Sequence, residues 1–175
     1  SRTGMDLSEN RKVFLQTNLS SRMREIGCGT YQAYFEKVTS QPHGIIEWMT
    51  LVDRLTVQET RFFRDEDANE LLTDYVLTRP IEELRQSSLE VWSVGCSTGE
   101  EPYTLAIILS QCMDILGLKH YFGITGTDIS KPALEKAKQG IYNSRKLVTV
   151  KPAITEKYFK TINANSVEIK PSVKE

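Results

Sequence analysis

The fold of this chain is decided by one stretch near its middle, Val91-Trp92-Ser93-Val94-Gly95-Cys96-Ser97-Thr98-Gly99-Glu100-Glu101-Pro102. The β-forming residues Leu89–Val94 predict a buried strand, and a turn with two glycines follows directly. The next residues predict a helix over 101–113, which tolerates proline in its first turn. The glycine turn therefore lies at the carboxyl end of a strand, where open α/β sheets bind their ligands.

Downstream of this stretch the same order of elements recurs. Residues 121–126 predict a second strand, and Ser130 is placed to cap a helix that runs to Gln139 and ends at Gly140. Strands that alternate with helices pair in parallel and are joined by right-handed crossovers. The order strand, helix, strand, helix predicts a doubly wound α/β domain.

Upstream, the sequence predicts a purely helical region. Apolar residues recur every three or four positions along a first helix, at Leu15, Leu19, Met23 and Ile26. Further helices are predicted over 31–38, 45–55 and 65–77, and Pro80 prevents the last from continuing. We therefore predict a helical domain over 1–80 and an α/β domain over 81–175.

The glycine turn carries acids where a phosphate site would need bare backbone amides. It contains neither a P-loop nor the dinucleotide pattern G-x-G-x-x-G. Glu100 and Glu101 would repel a pyrophosphate and attract a cationic ligand, such as one with an ammonium or sulfonium group. The alternative is an ordinary tight turn between a strand and a helix.

Two further positions allow more than one interpretation. Asp128 ends the second strand, where a carboxylate can bind ribose hydroxyls or merely help to cap the next helix. Residues 58–65, Gln-Glu-Thr-Arg-Phe-Phe-Arg-Asp, place two aromatics between arginines. They could be functional or a simple packing wedge with solvated charges.

The composition excludes several classes of protein. Lys plus Arg is 22 and Asp plus Glu is 23, a formal net charge of -1, which argues against bulk binding of nucleic acid but leaves a local basic patch open. Three scattered cysteines are too few for a disulfide framework or a zinc site, so no metal is expected. Since the sequence has no signal-peptide pattern and no apolar run of about 18 residues, a cytoplasmic protein is expected.

Together these segments resemble the CheR family, the methyltransferases that esterify glutamate side chains of bacterial chemoreceptors with S-adenosylmethionine. Three motifs in the family's order carry the resemblance: Thr60-Arg61-Phe62-Phe63-Arg64-Asp65, Trp92-Ser93-Val94-Gly95-Cys96-Ser97-Thr98-Gly99-Glu100-Glu101-Pro102-Tyr103, and Thr127-Asp128-Ile129-Ser130 with Ala133, Leu134, Ala137, Gly140, Ile141 and Tyr142. The resemblance implies an α/β fold, with a small all-helical N-terminal domain followed by a partial Rossmann-like class I methyltransferase domain that has a parallel sheet core.

The resemblance also assigns roles by position. Glu101 is implied to hold the amino group of the cofactor's methionine part, and Asp128 is implied to bind its ribose. Gly95 is a cofactor-binding candidate because glycine lets the backbone approach a ligand closely. Cys96 is interpreted as a small filler, since neither the cofactor nor the reaction needs a thiolate.

The segment between the two predicted domains is implied to complete the cofactor site. Thr60 and Arg64 match cofactor-site residues of the family, and Arg64 is the candidate catalytic residue because it would lie closest to the transferred methyl group. Gln58 stands where chemotaxis members often have asparagine, a departure that keeps a side-chain amide.

The implied reaction is methyl transfer to glutamate side chains of a chemoreceptor-like protein, whose cytoplasmic helical region would be the partner. The basic residues of the first region could form a face for this acidic partner or only a solvated face: Arg11, Lys12, Arg22 and Arg24. The alternative function is a non-catalytic CheR-like module that binds the cofactor or regulates a partner.

The end of the chain bears on how much of such a protein is present. The family's later motif of the Cys-Arg-Asn-Val type is not found, and residues beyond 142 predict only a helix over 154–159 and a strand over Ser166–Ile169. We expect the N-terminal portion of a CheR-type protein, with an exposed apolar side of its sheet. We therefore expect weak or absent cofactor binding by this chain alone. Micromolar binding of S-adenosylhomocysteine in a calorimetric titration would contradict this.

Overall fold

The computed structural model describes residues 11–56, 59–86, 88–118 and 122–174. The chain divides into two compact units, Ser1–Val57 and Gln58–Glu175. This division lies earlier than the boundary that the sequence predicts at residue 80. The reason is that the helix Glu66–Leu77 buries Val76 among residues of the helix Glu100–Leu116, so its apolar face belongs to the second unit.

The first unit is helical, as predicted. Its helices are α1 (Lys12–Glu25), α2 (Tyr31–Thr39) and α3 (Gly44–Leu55). The side chain of Thr30 caps α2 by accepting a hydrogen bond from the backbone N–H of Ala33 at 3.2 Å. The three helices share one core, formed by Met23, Tyr34, Val38, Leu51 and Leu55.

A buried acid in the first unit engages one of the predicted basic residues. Glu47 accepts hydrogen bonds from Nε and Nη2 of Arg22, both at 2.8 Å, and from the hydroxyl of Tyr34 at 2.8 Å. The hydrogen bonds from Arg22 hold the pKa of Glu47 below its usual range despite burial. Arg22 therefore pairs with Glu47 inside the unit and is not a freely solvated charge.

The second unit contains a parallel sheet of two strands, β1 (Leu89–Val94) and β2 (Phe122–Thr127), with Leu89 opposite Phe122. The helices before and around it are α4 (Glu66–Leu77), α5 (Ile81–Gln86), α6 (Glu100–Leu116) and α7 (Lys131–Gln139). The predicted parallel pairing is confirmed. The caps predicted for α7 are also confirmed, since Ser130 Oγ accepts from the N–H of Ala133 at 3.1 Å and Gly140 has a φ of 63°.

The prediction that β1 is a buried strand is wrong for one of its faces. Leu89 and Val91 pack against the core beside α6, whereas Trp92 and Val94 are each 67% exposed. The difference arises because side chains alternate across a strand, and the α4 and α6 core lies against only one side of this one. The apolar residues of β1 therefore predict more burial than the structure shows, because only one of the two faces of the strand is covered.

A second sheet follows α7 in the chain. Its strands are β3 (Ile141–Asn143), β4 (Phe159–Asn163) and β5 (Ser166–Ile169), arranged antiparallel in the order β3-β5-β4. A 3₁₀ helix (Ser144–Leu147), α8 (Pro152–Tyr158) and α9 (Pro171–Lys174) connect or follow these strands. The sequence predicts α8 and β5 but neither β3 nor β4. In the described part of the chain, no helix has the length and apolar character that crossing a bilayer requires.

Candidate functional site

The turn between β1 and α6 is tied to the end of β2. The backbone N–H groups of Gly95 and Cys96 both donate to the carbonyl oxygen of Thr127, at 2.8 and 2.9 Å. Gly95 and Gly99 have φ angles of 74° and 92°, which favour glycine. A Cβ at Gly99 would also lie 2.8 Å from Cβ of Ala137, so α6 begins close against α7. The turn thus lies at the carboxyl ends of both parallel strands.

Asp128 fixes the turn as well as the start of α7. Its Oδ2 accepts from the N–H of Ser97 at 2.7 Å, and its Oδ1 accepts from the N–H of Ser130 at 2.7 Å. Asp128 therefore helps to fix the start of α7, which is one of the two interpretations that the sequence allowed, and it also holds the turn in place. A carboxylate has about four acceptor positions, so both oxygens can still accept from a ligand hydroxyl.

The two adjacent acids of the turn have opposite environments. Glu100 is completely buried, where its carboxylate pairs with Lys146 and accepts from Thr98 Oγ1 at 2.6 Å. Glu101 is exposed, and its Oε1 accepts from the hydroxyl of Ser93 at 2.7 Å. Residue chemistry alone does not distinguish the two acids, although the family resemblance assigns a role to Glu101 only. In the structure the carboxylate that is open to solvent is that of Glu101.

The aromatic pair of the 58–65 segment anchors this segment to the second unit. Phe62 is 1% exposed and packs edge-on against Tyr142 and Phe159, with ring centroids 5.0 and 5.1 Å apart. The N–H of Phe63 donates to Oγ1 of Thr104 in α6 at 3.1 Å. The packing interpretation therefore holds for the aromatics, and it leaves the neighbouring polar residues free for another role.

The predicted polar residues of the same segment differ in exposure. Arg64 is exposed, and its Nη1 donates to the carbonyl oxygen of Glu59 at 2.9 Å. Thr60 is partly buried. Gln58 lies outside the described residues. The predicted positions within the structure thus fall on the turn, on the end of β2 and on an anchored segment of the same unit.

Tyr142 joins the anchored segment to the turn. Its ring contacts Phe62, and its hydroxyl donates to the carbonyl oxygen of Thr98 at 2.8 Å. Burial raises the pKa of Tyr142 far above its usual range, so the hydroxyl remains a donor at neutral pH. Burial and the nearby Asp128 likewise raise the pKa of the Cys96 thiol, as expected for a filler and not for a nucleophile.

Sequence reasoning missed Ser93 and Lys146 as parts of this site. The sequence motifs include Ser93 but assign it no role, yet it is 2% exposed and donates a hydrogen bond from its hydroxyl to Glu101. Lys146 lies 46 residues from Glu100 in the sequence, and no local pattern connects them. The sequence signal that could have pointed to Lys146 is the pair of adjacent acids, Glu100 and Glu101, at the start of α6. If one of two such acids is buried, it needs a cationic partner from another part of the chain.

Comparison with known proteins identifies the fold. Residues 58–175 match the family model described as the CheR methyltransferase SAM-binding domain, and residues 1–56 match that of the CheR methyltransferase all-alpha domain. The chain belongs to the CheR methyltransferase family. The match confirms the predicted fold class, an all-helical domain followed by an α/β methyltransferase domain, and it confirms S-adenosylmethionine as the cofactor of that domain.

Relatives of this CheR chain come from several bacteria. The chemotaxis protein methyltransferase of Borreliella burgdorferi is 29% identical over 174 residues, which cover 98% of this chain and 61% of the relative. Those of Klebsiella aerogenes and Escherichia coli are 33% and 31% identical over 159 residues, which cover 90% of this chain and 51% and 52% of the relatives. The chain therefore spans about half to three-fifths of the length of these proteins.

The residues of this CheR turn fit the cofactor. Ser97 Oγ is buried and lacks a hydrogen-bond partner among the described residues, and Ser97 has a φ of 48°. Unsatisfied buried groups and such backbone angles concentrate at binding sites. An exposed carboxylate at Glu101 suits an ammonium group, and Asp128 lies one strand away with acceptor capacity to spare for hydroxyl groups.

Proposed function

We propose that the protein transfers a methyl group from S-adenosylmethionine to glutamate side chains of a chemoreceptor-like protein, as a protein-glutamate O-methyltransferase. One observation carries the cofactor part of this proposal. Glu101 presents an exposed carboxylate in the first turn of α6, while the charge of its neighbour Glu100 is neutralised inside the fold. A single acid on the β1–α6 turn suits a ligand that carries an ammonium group.

In this proposal different site residues bind different parts of the cofactor. Glu101 binds the ammonium group of the methionine part, and Asp128 accepts hydrogen bonds from the ribose. Gly95 lets the backbone approach the ligand, since a Cβ there would meet open space while its φ of 74° still favours glycine. Thr60 contributes from the segment that Phe62 anchors, and Gln58, two positions earlier in the sequence, is proposed to bind the cofactor through its side-chain amide.

The proposed chemistry needs orientation more than proton transfer. When bound, S-adenosylmethionine would supply a methyl group on a positively charged sulfur. A carboxylate oxygen of the acceptor would form a bond to this methyl carbon as the sulfur–methyl bond breaks, which would give a methyl ester and neutral S-adenosylhomocysteine. A glutamate side chain has a pKa of about 4.3, so the acceptor is already ionised at neutral pH and needs no general base. Arg64 is proposed to orient the acceptor or the cofactor's carboxylate through its forked guanidinium group.

The proposed partner is the cytoplasmic helical region of a methyl-accepting receptor, which places the protein in the cytoplasm. The support is that the relatives are named chemotaxis protein methyltransferases. Arg22 is an unsuitable contact for this partner because it pairs with Glu47 and Glu25. Arg24 is exposed, and its side chain donates to the carbonyl oxygen of Ser20, so it remains a candidate contact.

The proposed function is tested by incubating the whole protein with S-adenosylmethionine and a purified receptor cytoplasmic fragment. We expect mass spectrometry to locate an added methyl group on glutamate side chains, removable by mild alkali as expected for an ester. A fragment with glutamine in place of the acceptor glutamates is the control and should remain unmodified. Cofactor binding without any methyl transfer would support the non-catalytic module instead.

A further inference from the structure

We propose that Lys146 is a positioning residue of the cofactor site. By neutralising Glu100 inside the fold, it fixes the turn between β1 and α6 and leaves Glu101 as the acid that meets the cofactor. The second half of this inference rests on the proposed role of Glu101. The first half concerns the shape of the turn and is tested without any ligand.

The contacts of Glu100 define what Lys146 does. Glu100 is 0% exposed, and its Oε1 pairs with Nζ of Lys146 while its Oε2 accepts from Thr98 Oγ1. The Lys146 side chain is 39% exposed, so its stem reaches from the surface to a buried carboxylate. Within the described residues, these are the two side-chain hydrogen bonds that hold the Glu100 carboxylate.

The position of Lys146 is itself fixed by the core. It belongs to the 3₁₀ helix after β3, and its neighbour Leu147 is buried in the same cluster as Tyr142 and Phe62. Tyr142 also donates to the carbonyl oxygen of Thr98. Two side chains from the β3 region therefore reach the turn, one binding its backbone and the other its buried acid.

Removing the lysine charge would disturb the turn specifically. A buried carboxylate without a cationic partner is strongly unfavourable, so the Glu100 side chain would be driven toward water. Thr98 donates to the Glu100 carboxylate, and Gly99 packs against α7. Both lie directly before Glu100, so a displacement of Glu100 would disturb this part of the turn. Glu101 follows directly after and would lose its orientation.

Cys96 offers a probe of the turn that is already present. Cys96 is 2% exposed within the turn, whereas Cys112, which is 1% exposed, lies in the core beside α6 and reports on the unit as a whole. In Lys146→Met, we expect the rate of labelling of Cys96 by a thiol reagent to rise by about tenfold or more, with Cys112 unchanged. Peptide mass spectrometry separates both from the partly exposed Cys28.

Two further variants make the test specific. In the double variant Glu100→Gln with Lys146→Met, no buried charge remains, so labelling of Cys96 should return to within about threefold of the original rate. Lys136→Met removes an exposed lysine of α7 and should change nothing. An unchanged Cys96 rate in Lys146→Met, an equal rise at Cys96 and Cys112, or no recovery in the double variant would each overturn the proposal.

Ligand binding by the whole protein tests the link to the cofactor. Lys146→Met should weaken binding of S-adenosylhomocysteine by about tenfold or more but leave 5′-methylthioadenosine, which lacks the amino-acid part, within about threefold. Equal losses for both ligands would overturn the link to Glu101. If the unaltered protein binds neither ligand, the proposed function fails, while the labelling of Cys96 still decides the role of Lys146 in the turn.

Discussion

Replacing Arg64 with alanine in the whole protein is expected to lower methyl transfer by about 100-fold or more. The proposed reason is the loss of the guanidinium group that orients a carboxylate at the site. Stability should be nearly unchanged, within about 0.5 kcal/mol, because Arg64 is exposed and its side chain donates to a backbone oxygen of its own segment. The measurement is the initial rate of methyl ester formation on a receptor fragment.

Arg61 is the matched control for this experiment. It is an exposed arginine of the same anchored segment, three positions before Arg64, so Arg61→Ala removes the same charge from the same surface. Its rate should stay near that of the unaltered protein. Arg64→Lys should recover only part of the activity, since an ammonium group cannot form the bidentate contact. Full activity in Arg64→Ala would contradict the proposed role.

The second large effect is expected at Glu101. Glu101→Gln should weaken binding of S-adenosylhomocysteine by the whole protein by about 10- to 100-fold, the loss expected when an ammonium group loses its charged partner. The fold should be retained, because the glutamine carbonyl can still accept the hydrogen bond from Ser93. Isothermal titration measures the change in Kd.

Glu82→Gln provides the control for this second experiment. Glu82 is an exposed acid of α5, and its replacement removes the same charge from the second unit. The Kd of Glu82→Gln for S-adenosylhomocysteine should equal that of the unaltered protein. A loss of affinity confined to Glu101→Gln would then show a direct contact with the ligand and not an effect of the protein's overall charge. An unchanged Kd in Glu101→Gln would mean that another group holds the amino-acid part of the ligand.

Elements with local signals could be predicted from the sequence. The strand Leu89–Val94 has the same bounds in the structure as in the prediction, and α7 begins after Ser130 and runs to Gln139, with Gly140 as its C-cap, as expected. The deciding residues in these cases are neighbours in the chain: a β-forming run, a serine cap and a glycine with positive φ. The turn that follows β1 was predicted for the same reason.

Features set by distant residues could not be predicted. The strand β3 has only three residues. The strand β4 begins at Phe159 directly after α8, and the helix predicted over 154–159 included that residue, so no break in the sequence marks where β4 starts. The difference between Glu100 and Glu101 depends on Lys146, which the fold brings from far along the chain. The two compact units divide after Val57, earlier than the predicted boundary at residue 80, because α4 packs against α6. The apolar face of α4 does not show by itself which helix it will pack against.

The central claim is that the β1–α6 turn and the end of β2 bind the cofactor. It is tested most directly by a crystal structure of the whole protein with S-adenosylhomocysteine. We predict the ligand's ammonium group within hydrogen-bond distance of the Glu101 carboxylate and its ribose hydroxyls on Asp128. A ligand bound elsewhere, or one whose ammonium group points away from Glu101, would contradict the claim.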